Sequence, residues 1–172
     1  MNHREKKLFY ASLFLSGKPL SISYFRKLVE DPINLENRIT YFIEEFNKLE
    51  LGLKIRTVAE GYQMTTETDV YDELVQFFGE KVGYLSKAAL ETLASIAYKQ
   101  PITKGEIEEL RGVNSSGSIK LLLERGLIKI IGRKNVPGKP LLYCTTKEFL
   151  EYFGLHSLSD LPTFREWQEL KK

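Results

Sequence analysis

The sequence is poor in the side chains that most often carry chemistry. Its 172 residues include one cysteine, Cys144, and two histidines, His3 and His156. A lone cysteine excludes an internal disulfide and fits a reducing compartment. Metal ligation wants several such ligands at close spacing, and the sequence offers no cluster of them, so no metal and no cofactor is expected. Neither a G-x-x-x-x-G-K-S/T phosphate loop nor a G-x-G-x-x-G following a strand occurs. Cys144 and His156 form the one conceivable nucleophile pair, but Cys144 lies in a strand-like run, where cysteine behaves as a small apolar residue. Glu108 and Glu109 are neighbours in sequence only, because adjacent helical side chains diverge by about 100°. These absences argue against an enzyme. No apolar run approaches the roughly 18 residues of a membrane span. Met1-Asn2-His3-Arg4-Glu5-Lys6-Lys7 runs into a helix without a clear cleavage site, so no signal peptide is expected and the expected address is cytoplasmic. Charge of one sign is lacking too. Lys and Arg number 25 against 23 Asp and Glu, a net charge of +2, which argues against dependence on nucleic acid for folding while leaving local contact open.

What the sequence does have is helix and hairpin punctuation, clearest from Leu85 to Thr145. Ser86 is placed to cap a helix with Leu90, Leu93, Ala94 and Ala97 on one face. Pro101 stops it. Thr103 caps a short helix carrying Ile107 and Leu110, and Arg111-Gly112-Val113-Asn114 turns the chain, with Gly112 free to take positive φ. Ser115 opens a third helix with Ile119, Leu122 and Leu123 on one face, closed by Gly126. Residues 127–131 and 141–145 have strand composition around a turn-rich basic tip. Three helices and a basic hairpin describe a winged helix.

The first half repeats that order. Residues 6–16 read as a helix that is apolar nearly all round, with Leu8, Ala11 and Leu15 on one side and Phe9, Tyr10, Leu13 and Phe14 on the other. Such a helix is either buried or covered by a partner, and the latter four are the candidate subunit interface. Ser21 begins a short helix to Val29, Leu35 to Leu49 form an amphipathic one, and residues 53–58 and 62–66 form a hairpin. Gly17-Lys18-Pro19-Leu20-Ser21 and Lys99-Gln100-Pro101-Ile102-Thr103 are the same punctuation in both halves, which points to a duplication. After a helix over residues 70–78, Gly79 to Gly83 is the expected joint. The expected fold is therefore mainly α with small β-hairpins, two tandem winged-helix domains over residues 1–82 and 83–172. Thr145-Thr146-Lys147-Glu148 offers a capping box for a last helix through Tyr152. The apolar loop Leu155 to Pro162 and the end with Trp167 are expected to pack, on their own domain or on a partner.

Leu85-Ser86-Lys87-Ala88-Ala89-Leu90-Glu91-Thr92-Leu93-Ala94, then Ile96-Ala97-Tyr98-Lys99-Gln100-Pro101-Ile102-Thr103, resembles the bacterial segregation and condensation protein B family, ScpB. So do Ile107-Glu108-Glu109-Leu110-Arg111-Gly112-Val113-Asn114-Ser115, Leu122-Leu123-Glu124-Arg125-Gly126-Leu127-Ile128 and the wing Gly132-Arg133-Lys134-Asn135-Val136-Pro137-Gly138-Lys139-Pro140. Phe149 to Leu155 and Ser157 to Pro162 extend the likeness, and Gly17 to Ser21 with Gly61-Tyr62-Gln63-Met64 carry it into the first half. The resemblance implies a non-enzymatic subunit with two winged-helix domains. It implies homodimers made largely through the first domain and binding of the kleisin ScpA mainly through the second. The kleisin bridges the ATPase heads of an SMC protein, in a complex that condenses and partitions the chromosome during cell division.

The resemblance fixes no contact residue. From exposure and charge, Leu121, Arg125, Arg133 and Lys134 are the candidate kleisin contacts. The rival reading is a winged-helix DNA-binding transcription regulator. Lys129, Arg133, Lys134 and Lys139 suit weak, sequence-independent phosphate contact. The third helix suits base readout less, because it enters with Ser115-Ser116-Gly117-Ser118 and offers only Asn114 and Lys120 as base-reading types.

Overall fold

The computed structural model describes residues 3–78 and 84–163. It divides the chain into two compact units, Met1–Lys81 with Gly154–Lys172, and Val82–Phe153.

In the first unit α1 (His3–Ser16) is followed by the two-residue strand β1 (Leu20–Ser21), α2 (Ile22–Arg26), α3 (Leu35–Asn47), the hairpin β2 (Leu53–Val58) and β3 (Gly61–Thr66), and α4 (Tyr71–Phe78). The apolar face of α3, Leu35, Ile39, Phe42 and Phe46, is buried against Phe9 and Leu13 of α1, Phe25 of α2 and Ile55 of β2. Aromatic rings knit this core, with Phe9 centred 4.8 Å from Phe25 and 5.9 Å from Phe42. The sheet order is β1-β3-β2, all antiparallel. β1 pairs with β3 only because residue 61 is glycine: a Cβ there would stand 2.8 Å from the Leu20 carbonyl oxygen. At the end of α3 the Asn47 amide mimics a strand, donating to the Ile55 carbonyl and accepting from the Ile55 N–H.

The second unit repeats the plan with α5 (Lys87–Lys99), β4 (Ile102–Thr103), α6 (Lys104–Arg111), α7 (Ser116–Glu124), β5 (Ile128–Arg133), β6 (Leu141–Thr145) and α8 (Lys147–Phe153). Its sheet order, β4-β6-β5, has the same form. Ser86 caps α5 by accepting from the Ala89 N–H. Thr103 and Glu106 form a full capping box at the start of α6, and Gly112 ends it at φ +69°. Ile96, Ile107 and Leu122, each fully buried, fill the centre.

Several expectations change in detail. The short strands β1 and β4 carry no readable period, yet each completes a three-stranded sheet. The buried face of α5 is Ala89, Thr92, Leu93, Ile96 and Ala97, while Leu90 is 41% exposed. Helix α5 packs on α6 and α7, and the small Ala89 and Thr92 take the buried positions that the apolar count had given to Leu90 and Ala94. Leu110 likewise points outward. Ser115 does not cap α7, because its hydroxyl accepts from Arg111 instead. Thr146 rather than Thr145 caps α8, accepting from the Phe149 N–H, and Thr145 is held by the Gln100 amide oxygen. At its far end the chain departs from the expected 83–172 domain. From Gly154 it belongs to the first unit, where the Ala59 and Glu60 N–H groups donate to the Leu155 and His156 carbonyls at 2.9 Å. Asp160 closes this segment by accepting from the His156 and Ser157 N–H groups, which hold its carboxyl below the usual carboxylate range. The expected joint over residues 79–83 and Trp167 lie outside the described residues.

Candidate partner-binding surfaces

Helix α1 is apolar all round because it serves two environments. Phe9 and Leu13 are in the core of their own unit. Tyr10 is half-buried, and its hydroxyl donates to the Phe42 carbonyl at 2.7 Å. Burial, with Glu45 nearby, pushes that hydroxyl up to about 12. Of the four expected interface residues only Phe14 stands clear, 73% exposed. The exposed apolar residues of α1 are Leu8, Phe14 and Leu15, the last 82% exposed. Leu8 and Leu15, two turns apart, share one side as the sequence grouped them, and Phe14 lies about 100° round the helix from Leu15.

In the second unit, Leu121 is half-buried and Arg125 is exposed. They sit on successive turns of the end of α7, where the Arg125 N–H donates to the Leu121 carbonyl. The wing cations do not act alike. Lys134 donates to Glu106 Oε1 at 2.5 Å. That contact, with the Thr103 N–H and hydroxyl on the other oxygen, holds the Glu106 carboxyl at about 2. Arg133 donates to the Lys139 carbonyl at 3.0 Å, across the base of the tip, and the Lys134 N–H donates to the Pro140 carbonyl. Of the four expected phosphate-contacting residues, Lys134 thus ties the wing to α6 and Arg133 braces the wing within itself, and Lys129 and Lys139 are exposed.

Between the helices of this unit lies a polar bolt that the sequence did not single out. The Arg111 guanidinium donates to the hydroxyls of Thr92 and Ser115, at 2.9 and 3.1 Å, and to Glu91 at 3.1 Å. Glu108 accepts from the Ser115 N–H. One arginine therefore fixes α5, α6 and the start of α7 together.

Exposed apolar side chains on this unit include Leu110 and Val113 at the α6–α7 turn, Leu90 and Tyr98 on α5, and Ile130 and Ile131 on β5. Leu90 is expected on the apolar face by spacing, and no sequence signal separates it from core leucines. Ile130-Ile131 is a readable signal, since adjacent apolar residues on one strand cannot both face the same core.

Among the described residues no group of three His, Cys, Asp or Glu converges as a metal site. No described helix is long and apolar enough to cross a membrane. The family described as segregation and condensation complex subunit ScpB matches residues 7–164. This chain belongs to the ScpB family. It is 41% identical over 168 residues to the segregation and condensation protein B of Syntrophotalea carbinolica, covering 97% of this chain and 85% of that one. It is 44% identical over 162 residues to that of Symbiobacterium thermophilum, covering 91% and 72%. Among solved structures, ScpB from Mycobacterium tuberculosis is 30% identical, with 88% and 95% covered and a TM-score of 0.41. The expected mixture of helices with small antiparallel sheets holds for this ScpB family member. Family membership makes it a chromosome segregation and condensation subunit.

Proposed function

We propose that this ScpB family member is a non-enzymatic, cytoplasmic adaptor of two winged-helix domains that binds the kleisin ScpA and, through it, an SMC ATPase. The exposed apolar residues Leu8, Phe14 and Leu15 of α1 are the surface by which two copies pair, with Phe9, Tyr10 and Leu13 supporting it from the core side. The second unit grips the kleisin through Leu121, Arg125 and the wing. The observation that carries the choice of a protein partner is the state of the wing. Lys134 is paired with Glu106, while apolar Ile130, Ile131, Leu110 and Val113 remain in water. A phosphate-reading wing keeps its apolar area small. The regulator reading asks for the reverse.

The test is titration of the purified full chain with purified kleisin by calorimetry, with light scattering of the free chain alongside. The expected result is a dimer that binds the kleisin without DNA, weakened about tenfold or more by Leu121→Asp. A folded Leu121→Asp protein of unchanged affinity removes that contact from the surface. A monomer at micromolar concentration removes the dimer.

A further inference from the structure

We propose that the outer edge of β5 accepts an acidic, extended segment of the kleisin as an added strand; this rests on the kleisin-binding reading above. In the sheet order β4-β6-β5, β5 lies at the edge, and among the described residues no strand pairs with its outer side. An edge strand presents a row of unpaired N–H and C=O groups, a template for another extended chain. Here the edge is long enough to be used, six residues from Ile128 to Arg133, and only Ile128 is buried. A bulge between Ile130 and Gly132 leaves Ile131 without a cross-strand partner on β6. Ile130 and Ile131 are 46% and 51% exposed, an apolar pair in mid-strand with Lys129 on one side and Arg133 on the other.

Charge chooses the occupant. From Arg125 to Lys147 the sequence has six cations and no carboxylate. A second copy adding antiparallel at this edge, centred on Ile131, would set Lys129 directly opposite Arg133, and like charges facing across a ladder are destabilising. A nucleic acid would find the apolar Ile130-Ile131 pair in the middle of the strand, which phosphates cannot cover. An extended polypeptide with apolar residues over the isoleucines and carboxylates toward Lys129 and Arg133 satisfies the backbone edge, the apolar pair and the charge together.

Amide hydrogen exchange of the full chain, free and with purified kleisin, reads this directly, with a short random-sequence DNA duplex as the comparison. The expected result is slowed exchange over Ile128 to Arg133 on kleisin binding. Ile131→Glu, at an exposed position with no cross-strand partner, should keep the melting temperature, weaken the kleisin by about tenfold or more, and abolish the protection. A complex that forms with β5 unprotected overturns the edge proposal and leaves the kleisin reading standing. Absence of any complex overturns both. Protection by the duplex and not by the kleisin makes the edge a nucleic-acid surface and overturns the proposal.

Discussion

Replacing Arg111 with methionine should destabilise the second unit by about 2–3 kcal/mol. The arginine side chain is 8% exposed, and two of its acceptors, the Thr92 and Ser115 hydroxyls, belong to fully buried residues. A charged hydrogen bond contributes about 1.5–3 kcal/mol when its partner is left unsatisfied. Each hydroxyl keeps an outlet, Thr92 donating to the Ala88 carbonyl and Ser115 to that of Val113, so each loss is nearer the low end of that range. Glu91 is 52% exposed and rehydrates, adding little. Against the arginine, its buried Nε meets no hydrogen-bond partner among the described residues. Methionine fills most of the stem's volume and limits cavity cost. Urea unfolding followed by circular dichroism, compared at equal slope, measures the change. Arg111→Lys should recover less than half, because an ammonium lacks the fork that reaches both hydroxyls and Glu91. A loss below about 0.5 kcal/mol for Arg111→Met would refute the bolt.

Gly61→Ala should cost the first unit about 1–3 kcal/mol, since the added Cβ meets backbone of β1 at 2.8 Å and cannot be accommodated by a rotamer; an unchanged thermal midpoint would contradict that. The Glu106–Lys134 contact contributes stability above about pH 4.5 that is lost as pH falls toward about 2, because the folded carboxyl is held below its usual value. Glu106→Gln should therefore flatten the acid side of the stability profile and leave the slope above neutrality unchanged; a parallel acid limb counts against the contact. Phe14→Ser with Leu15→Ser should lower the apparent mass in light scattering from dimer to monomer while the melting temperature stays within a few degrees, whereas Leu13→Ser should unfold the unit instead. If the double variant still scatters as a dimer, the exposed apolar residues of α1 are not the pairing surface.

Most of this architecture was legible because its signals are local. Ser86, Thr103 and Gly112 do at their helix ends what their chemistry dictates, and the Gly17–Ser21 and Lys99–Thr103 punctuation marked two copies of one plan. What escaped was set by tertiary geometry. A two-residue strand such as Ile102–Thr103 has no period to read, and it exists because β6 is there to pair with it. Leu90 and Ala89 are indistinguishable as core candidates until α5 packs on α7 and rewards the smaller one. Phe9 and Phe14 look equally suited to an interface by composition, and only the position of α3 decides that the first is core. The wing's cations were readable as charge, but their engagement with Glu106 and the Lys139 carbonyl depends on contacts between residues 28 and 6 positions apart.

The most direct test of the account is a pull-down of the tagged full-length protein from nuclease-treated lysate of its source, with bound proteins identified by mass spectrometry. Recovery of a kleisin and an SMC ATPase in the absence of DNA is the predicted result. Recovery of neither, together with a sequence-selective DNA complex, would contradict the adaptor and leave the fold serving a regulator.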